Sequence, residues 1–434
     1  MARFGRSRRV AWGLLVALGT GALGLSLGLF LRVAAGVDPS SSGRPVPDIG
    51  DVASYPKISG GRWVRGPNLT DAEGHPQPRQ EHAAVELNGF VYLIGGFVPI
   101  QPPPQPTENE PEPFPFEGTG EVLVYTPLGH PAAPADREGE WEALPQASSF
   151  PVPDMHHIVA VEHQGKIWAF GGHAGPFAPT RKVFVFSPND PDSPEGTWSQ
   201  VRVEDGTTCS VQAECLELPE ARAAGAAVSV GDRIYLMGGV VPYRNSPDPV
   251  NASIRTTRSV IVLDTDSSPL RWRRGPLLHR PREHFNAVVG AGRIWVFHGR
   301  NEFSTHMRSV ESWAPGAHGW RREQDAPVGT SANILAAVGQ CVYSFGGEFI
   351  ASNVTGTLIA SQVFHVPSRS WRVLESTVQT EPLDATGATS KHGTYGVRFT
   401  EDGTTKIMAP GGAATAWFDP MSKVHVFNPP GGCS

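Results

Sequence analysis

The sequence predicts an all-β fold, a β-propeller of six blades, from two repeated marks and from the way the chain begins and ends. The first mark is a short apolar run that ends in glycine: VYLIGG at 91–96, IWAFGG at 167–172, IYLMGG at 234–239, IWVFHG at 294–299, VYSFGG at 342–347 and KIMAPGG at 406–412. The second mark is a tryptophan among polar residues: Trp63, Trp141, Trp198, Trp272, Trp320 and Trp371. Because the two marks alternate along the chain without a miss, they define a repeat.

Each repeat contains the signals of four short strands. The first strand opens near a basic residue or histidine, as in RQEHAAVEL, and a tight turn such as Asn88-Gly89 leads into the glycine-ended run. A third, alternating strand follows, as in EVLVYTP at 121–127, and the fourth strand carries the tryptophan. No helical periodicity accompanies these signals, so each repeat is predicted to be an antiparallel meander. One such sheet cannot bury both of its faces, whereas radially arranged sheets can, and that arrangement is a β-propeller.

The two ends of the repeat region predict how the ring closes. The chain enters with a fourth strand, at Trp63, and leaves after a third strand, at 423–429. The entering strand can therefore complete the last sheet, which joins the chain ends and removes free sheet edges.

These features resemble the kelch repeat. The doublet Gly95-Gly96, the strand EVLVYTP and Trp141 stand in the kelch order, and the later units follow it over residues 62–430. The sequence departs from the pattern at His298, which replaces one glycine, at the start of the fifth unit, which has no basic residue, and in its long loops. Glycines at a strand end permit positive φ and close approach of backbones, and the tryptophan supplies a large apolar surface between sheets.

The N-terminal segment is predicted to lie outside the propeller. Residues 1–36 hold five arginines, no acidic residue and an apolar run at 10–31. They fit either a secretory signal peptide cut after Ala35 or an uncleaved membrane anchor, and both place the remainder outside a membrane, whether periplasmic, secreted or anchored. Residues 37–60 lack periodicity and are predicted to be a flexible linker, followed by the propeller at 61–430 and a tail at 431–434.

The charge balance argues against nucleic acid as a partner. The formal net charge is −6, and without the arginines of the N-terminal segment 31 basic residues face 42 acidic ones. An acidic body repels a phosphate backbone.

Cysteines and sequons add three expectations. Cys209 and Cys215 lie six residues apart in one loop and are predicted to form a local disulfide in an oxidising compartment, with two free thiols as the alternative. Cys341 is expected to be an ordinary buried strand residue, and Cys433 has no obvious partner. Three asparagines head glycosylation sequons: Asn68, Asn251 and Asn353.

Loop lengths distinguish the two faces of the propeller. Connections from the first to the second strand are tight turns, whereas those from the second to the third strand and between blades are long, the longest being 97–120, 201–221, 240–258 and 372–390. Antiparallel geometry puts both classes of long connection on one face of the propeller. That face is therefore predicted to bind a protein or a glycan ligand. The chain itself is predicted to be a monomeric, non-enzymatic binding module. The proline- and glutamate-rich loop 97–120 fits a semi-rigid flap, a partner-facing segment or a disordered insertion.

The opening residues of the first strands are predicted to converge on that face, at the mouth of a central channel. The ligand-binding candidates are Arg79, His82, His156, His157, Arg222, Arg282, His284, Arg300, Glu348 and His392, with Glu81, Glu283 and His173 beside them. Such a concentration of cations and imidazoles predicts an anionic ligand, a carboxylate or acidic sugar, held by guanidinium groups. The alternative is that these residues join neighbouring blades through buried hydrogen bonds.

The sequence predicts no metal and no cofactor, and it leaves any catalytic residue unknown. The histidines of the channel mouth could meet in space, but no HxH or HExxH spacing supports a metal site. The tyrosines and cysteines do not form the set of a copper-radical oxidase such as galactose oxidase, and GxSxG, GxxxxGK and a GxGxxG after a strand are absent. The alternative function, implied by resemblance to six-bladed kelch enzymes, is an epimerase or mutarotase of the sialic-acid type, in which arginine and histidine hold an acidic sugar and move a proton.

Overall fold

The computed structural model describes residues 50–71, 73–105, 114–131, 138–175, 177–243, 254–301, 306–350, 355–358, 360–374, 391–415 and 418–433. In these ranges the helices are two short 3-10 turns, Gln146–Ser148 and Gln212–Glu214, and the remaining regular structure is β-strand. The predicted signal or anchor at 1–36 lies outside the described residues. Among the described residues, no helix has the length and hydropathy of a membrane span.

Four sheets are antiparallel meanders of four strands. They consist of Ala83–Leu87, Phe90–Ile94, Val122–Thr126 and Glu140–Ala143; of Ala226–Val230, Arg233–Met237, Val260–Asp264 and Arg271–Arg274; of Asn286–Gly290, Arg293–Phe297, Val310–Trp313 and Arg321–Arg322; and of Val397–Glu401, Thr404–Pro410, Val424–Asn428 and Arg62–Arg65. In the last of these, the N-terminal strand pairs with the C-terminal one and places Trp63 opposite Phe427.

Two larger sheets contain the same meander with added strands. One has Ile334–Val338, Cys341–Phe345, Ser361–His365 and Ser370–Leu374, extended by the parallel strand Lys57–Ile58. The other has Val159–His163, Lys166–Phe170, Ala178–Pro188 and Gly196–Ser199, with Met155–His156, His173–Ala174 and Glu217–Arg222 attached. Short hairpins follow three glycine doublets: Phe97–Pro99 with Phe116–Gly118, Val240–Pro242 with Ile254–Thr256, and Glu348–Ile350 with Thr355–Thr357. The all-β propeller fold is confirmed.

Gly50 and Lys57–Ile58 pair with the propeller, although they lie within the segment 37–60 that is predicted to be a flexible linker. Lys57–Ile58 runs parallel to the outermost strand of a sheet, opposite Val373 and Leu374. The pairing covers part of an exposed sheet edge, which is the usual reason for such an added strand. A two-residue strand has no periodic pattern, so the sequence could not reveal it.

The tryptophans pack between neighbouring sheets, as predicted. Trp63 is fully buried and its ring lies 4.9 Å from that of Phe345 in the neighbouring sheet. Trp371 is equally buried, and its Nε1 donates to the carbonyl oxygen of Gln324 at 3.0 Å. Trp320 differs from the prediction because it immediately precedes a two-residue fourth strand instead of lying within it. These rings supply much of the apolar contact between sheets.

The glycine doublets are the joints between consecutive sheets. The N–H of each second glycine donates to the carbonyl of the residue that opens the next repeat, at 2.8–3.0 Å: Gly96 to Met155, Gly172 to Arg222, Gly239 to Arg282, Gly299 to Thr330, Gly347 to Lys391 and Gly412 to Arg79. At Gly171 a Cβ would overlap the carbonyl oxygen of Arg222, so the close approach requires glycine there. His298 takes the corresponding place in the fourth doublet with a φ of 61°.

All four cysteines are paired, which corrects one expectation. Cys209 and Cys215 form a disulfide within their loop. Cys341 and Cys433 form a second disulfide, with their Cα atoms 6.1 Å apart, although the sequence suggested a free buried thiol and an unpartnered terminal one. Their separation of 92 residues hid the pairing, because only the packing of the last sheet against its neighbour brings the C-terminal tail to that strand.

Candidate functional site

A second ring of backbone hydrogen bonds surrounds the axis just before the first strands. One residue from each repeat takes part, and each N–H donates to the carbonyl of the previous member at 2.7–3.0 Å: Glu81, His157, Ala224, His284, Ala332 and Gly393, whose own carbonyl accepts from Glu81. All six have a φ between 48° and 64°. This left-handed backbone is unfavourable for most residues other than glycine, and such outliers persist where the surrounding structure dictates them.

Three ring members carry polar side chains, and these meet. Nε2 of His157 and Nε2 of His284 are 2.9 Å apart, and each lies 3.4 Å from Oε2 of Glu81. All three side chains are buried. The other three members are alanine or glycine, so the ring brings together two imidazoles and one carboxylate from three different repeats.

A second layer of polar groups holds the two imidazoles. His156 contacts Nδ1 of His157 through its own Nδ1, and its Nε2 lies 2.8 Å from the carbonyl oxygen of Gly175. Nδ1 of His284 contacts the carboxylate of Glu283. Each imidazole is therefore fixed through the nitrogen that faces away from Glu81.

Arg300 links two further carboxylates to this centre. Its guanidinium pairs with both Glu283 and Glu348. Glu348 in turn lies 3.7 Å from Nδ1 of His392. The position of Arg300 follows from the repeat. The residue after each glycine doublet forms a backbone β-bridge with the residue that precedes the ring member, and Arg300 pairs with Glu283 in this way.

The electrostatics of this cluster differ from the cationic mouth that the sequence predicts. Burial by itself raises the pKa of Glu348, but Arg300 and His392 outweigh it and bring the pKa to about 2. The pKa of Glu81 is likewise lowered despite burial, chiefly through His284 and His392. Burial and the neighbouring His156 and His284 hold the pKa of His157 well below its usual range. Three carboxylates, those of Glu81, Glu283 and Glu348, therefore face the single guanidinium of Arg300 at this centre.

Six of the ten ligand-binding candidates belong to this cluster: His156, His157, His284, Arg300, Glu348 and His392. The other four do not. Arg79, Arg222 and Arg282 are fully buried within their own sheets, and Arg222 and Arg282 donate to the carbonyls of Gly238 and His298 at 2.6 Å. Their side-chain hydrogen bonds stay within their own repeats, which differs from the alternative in which such residues join neighbouring blades.

His82 is fully buried. Burial and the nearby Arg79 lower its pKa to about 3, so it is neutral. Within the described part of the chain, neither of its ring nitrogens has a hydrogen-bond partner. A Cβ added to Gly96 would lie 2.9 Å from the Cβ of His82, so these two residues of the same repeat pack closely.

Aromatic side chains lie next to the histidines on the long-loop face. The ring of Phe97 stacks on His156 at 3.8 Å, and Phe177 lies 5.7 Å from the same imidazole. Phe114 and Phe116 come from the described end of the loop 97–120, and both approach Phe418, at 4.9 and 5.6 Å. We call these five residues, Phe97, Phe114, Phe116, Phe177 and Phe418, the aromatic cluster.

Sequence reasoning missed this cluster and Tyr395. The phenylalanines come from three separate loops, and loop residues carry no periodic signal. Tyr395 stands two residues after a ring member, and burial, together with nearby Glu81, raises its pKa. The one usable signal for Tyr395 was its position, which is equivalent to that of the residues at the start of the first strand in the other repeats. Of the sequons, Asn68 is half-buried and accepts from Arg65, whereas Asn251 and Asn353 lie outside the described residues.

Comparison with known proteins places the chain among propellers with this repeat. No protein-family profile matches it. It is 23% identical over 325 residues to the Kelch-like protein terF of Aspergillus terreus, covering 72% of this chain and 59% of that protein. It is 24% identical over 238 residues to human Kelch-like protein 38, covering 52% and 34%. A third relative, Beta-scruin of Limulus polyphemus, is 30% identical over 125 residues, 29% of this chain and 12% of that protein. The chain thus matches about three fifths or less of these relatives' lengths.

Proposed function

Starting from its membership of the kelch-repeat family of β-propeller proteins, we propose that this chain is a binding module that recognises a protein partner on its long-loop face. Kelch-like relatives favour protein interaction over catalysis. The observation that carries the proposal is the aromatic cluster, which places apolar rings from three loops over one sector of that face.

The cluster has the composition of a binding hot spot. Phe177 is 43% exposed, although most large apolar side chains of the described residues are buried. Phe97 is fully buried beneath it and gives the exposed rings a rigid base. Aromatic residues at the centre of an interface, supported by a packed layer, supply a large share of binding energy. A glycan that stacks on these rings is the competing ligand class.

We also propose that the propeller is a closed ring of six blades. Both rings of inter-repeat hydrogen bonds have six members, and each returns from the last repeat to the first: Gly412 donates to Arg79, and Glu81 donates to Gly393. The strand Arg62–Arg65, which completes the last sheet, supports the same closure. A closed ring leaves no sheet edge free for aggregation.

The proposed location is outside a membrane, with the chain a monomer that is secreted, periplasmic or held by its N-terminal segment. Two disulfides and no free cysteine among the described residues support an oxidising compartment. The apolar run at 10–31, which is predicted to be part of a signal peptide or a membrane anchor, supports export. Mass spectrometry of the mature N-terminus distinguishes cleavage after Ala35 from an intact anchor.

The epimerase or mutarotase alternative receives no support from the cluster. An acidic sugar needs a guanidinium that is free to bind its carboxylate. Arg79, Arg222 and Arg282 are engaged inside their sheets, and Arg300 already pairs with two carboxylates. We therefore do not propose it.

The test compares two exposed apolar residues at opposite ends of the propeller. Phe177 is 43% exposed in the aromatic cluster, and Val289 is 42% exposed near the tight-turn end of a first strand. We expect photo-crosslinking of the full chain in its native extract to capture a protein that Phe177→Ser loses and Val289→Ser retains. A glycan array run with the same variants tests the competing class. Capture that is equal for both variants, or glycan binding that depends on Phe177 without any protein capture, would refute the proposal.

A further inference from the structure

The geometry points to a divalent transition-metal site on the propeller axis, with Glu81, His157 and His284 as ligands; we propose that Zn²⁺ or a similar borderline ion binds there. The three donor atoms come from repeats one, two and four and lie within 4.8 Å of one another. No local motif links them, since the ring of left-handed residues alone brings them together.

The distances between donor atoms fit a single bound ion. Ligand atoms about 2.0–2.2 Å from a metal are separated by about 3.0 Å at octahedral angles and about 3.4 Å at tetrahedral ones. The observed separations are 2.9 Å between the two Nε2 atoms and 3.4 Å from each to Oε2 of Glu81. The side chains therefore need little rearrangement to hold a metal.

The hydrogen-bond network turns three lone pairs toward the same point. The carbonyl of Gly175 can only accept, so Nε2 of His156 donates to it and Nδ1 of His156 accepts from Nδ1 of His157. Nδ1 of His284 likewise donates to the carboxylate of Glu283. Both facing Nε2 atoms are then acceptors, and so is Oε2 of Glu81. Three acceptors that face one another at these distances repel unless a proton or a metal ion lies between them.

The surroundings match those of known metal centres. A histidine that binds a metal usually donates its other N–H to a carboxylate or a carbonyl, which fixes the ring and its tautomer, and here Glu283 serves His284 directly. The carboxylates of Glu81, Glu283 and Glu348 outnumber the single guanidinium of Arg300 at this centre, which favours the binding of a cation. Two histidines and one carboxylate favour Zn²⁺ or Fe²⁺ over Ca²⁺ or Mg²⁺, and they leave coordination positions open to a further ligand.

The fold itself supplies well-matched variants. Ala224 and Ala332 occupy the same ring position in their repeats, with φ values of 53° and 49°. Alanine is thus already accepted in this conformation, and Glu81→Ala, His157→Ala and His284→Ala should keep the fold. The control is His75→Ala, since His75 belongs to the exposed group Asp71, Glu73 and His75, the other set of potential ligands among the described residues.

The experiment is a titration of the purified full chain, stripped by a chelator, with Zn²⁺ alone and with Co²⁺ alone. We expect one ion per chain by calorimetry and elemental analysis, Co²⁺ absorption bands of a nitrogen- and oxygen-ligated site, and a rise in melting temperature with Zn²⁺. Each of the three alanine variants should weaken binding by at least about 100-fold, and His75→Ala should not change it.

Three outcomes would overturn the inference: no stoichiometric binding by the wild-type chain, equal binding by the three alanine variants, or loss of binding in His75→Ala. Circular dichroism reports whether each variant has folded. If one does not fold, the stoichiometry and the Co²⁺ spectrum of the wild-type chain still decide the matter.

Discussion

Arg282 offers a sharp test of the division between scaffold and site, and we predict that Arg282→Met lowers the free energy of unfolding by about 3–5 kcal/mol. Its guanidinium has no solvent exposure and donates to His298 O and Glu311 Oε1, both at 2.6 Å, and to Ser309 Oγ at 3.0 Å. Removing it leaves the buried carboxylate of Glu311 without its cation. The backbone N–H and Nδ1 of His279 still reach that carboxylate, at 2.7 and 2.9 Å, so we expect the lower part of the range.

Urea unfolding followed by tryptophan fluorescence measures the effect, provided that the slope against denaturant is unchanged. The control is Arg274→Met, which removes an exposed guanidinium from a fourth strand and should change stability by less than about 0.5 kcal/mol. Glu311→Gln completes a double-mutant cycle, and the pair should show positive coupling. A loss below about 1 kcal/mol for Arg282→Met would refute the reasoning and return Arg282 to the ligand-binding candidates.

Three further predictions concern the rest of the scaffold. Because the Cys341–Cys433 disulfide spans 92 residues, the chain-entropy relation predicts that replacing both cysteines by serine lowers stability by about 4–5 kcal/mol, and an unchanged urea midpoint would contradict this. Burial lowers the pKa of His298 to about 3. Between pH 6.5 and 3 the unfolded chain therefore binds a proton at this residue that the folded chain does not bind, and stability falls as the pH drops through this range. His298→Gln should therefore reduce the pH slope of stability in that window by about 1.4 kcal/mol per pH unit, and equal slopes would show that His298 is not buried as a neutral base. Trp371→Ala should cost about 3–5 kcal/mol and clearly more than Trp272→Ala, since Trp272 is half-buried; thermal melts that rank them in the opposite order would contradict the packing.

Local patterns predicted the strands well because each strand carries its own signal. Alternation, tight turns and glycine doublets act within about ten residues, so the four-strand meander and its long-loop face follow from them. The Asn88-Gly89 turn shows this directly, since both residues have positive φ, at 53° and 90°. The fourth strand of the repeat that contains Trp320 begins at Arg321, one residue after the tryptophan that is predicted to lie within it, because only two residues pair there, too few to leave a pattern.

The role of the arginines could not be predicted from residue type alone. Arg222 and Arg300 are both basic residues that the sequence predicts at the channel mouth. Arg222 donates to the carbonyl of Gly238 inside its sheet, whereas Arg300 stands beyond a doublet and pairs with two carboxylates at the axis. The difference is one of position in the repeat, which decides whether a side chain points into a sheet or across to the next one.

The sequence by itself determined the repeat, its strand order and the face on which the loops gather, because periodic burial and turn chemistry are local properties of the chain. Only the tertiary structure decided which polar residues meet. Glu81, His157 and His284 are separated by 76 and 127 residues, and a closed ring of left-handed backbone brings their side chains to one point. The Cys341–Cys433 disulfide and the aromatic cluster have the same origin. Proximity between residues of different repeats depends on how the sheets pack around the axis, which no short stretch of sequence encodes.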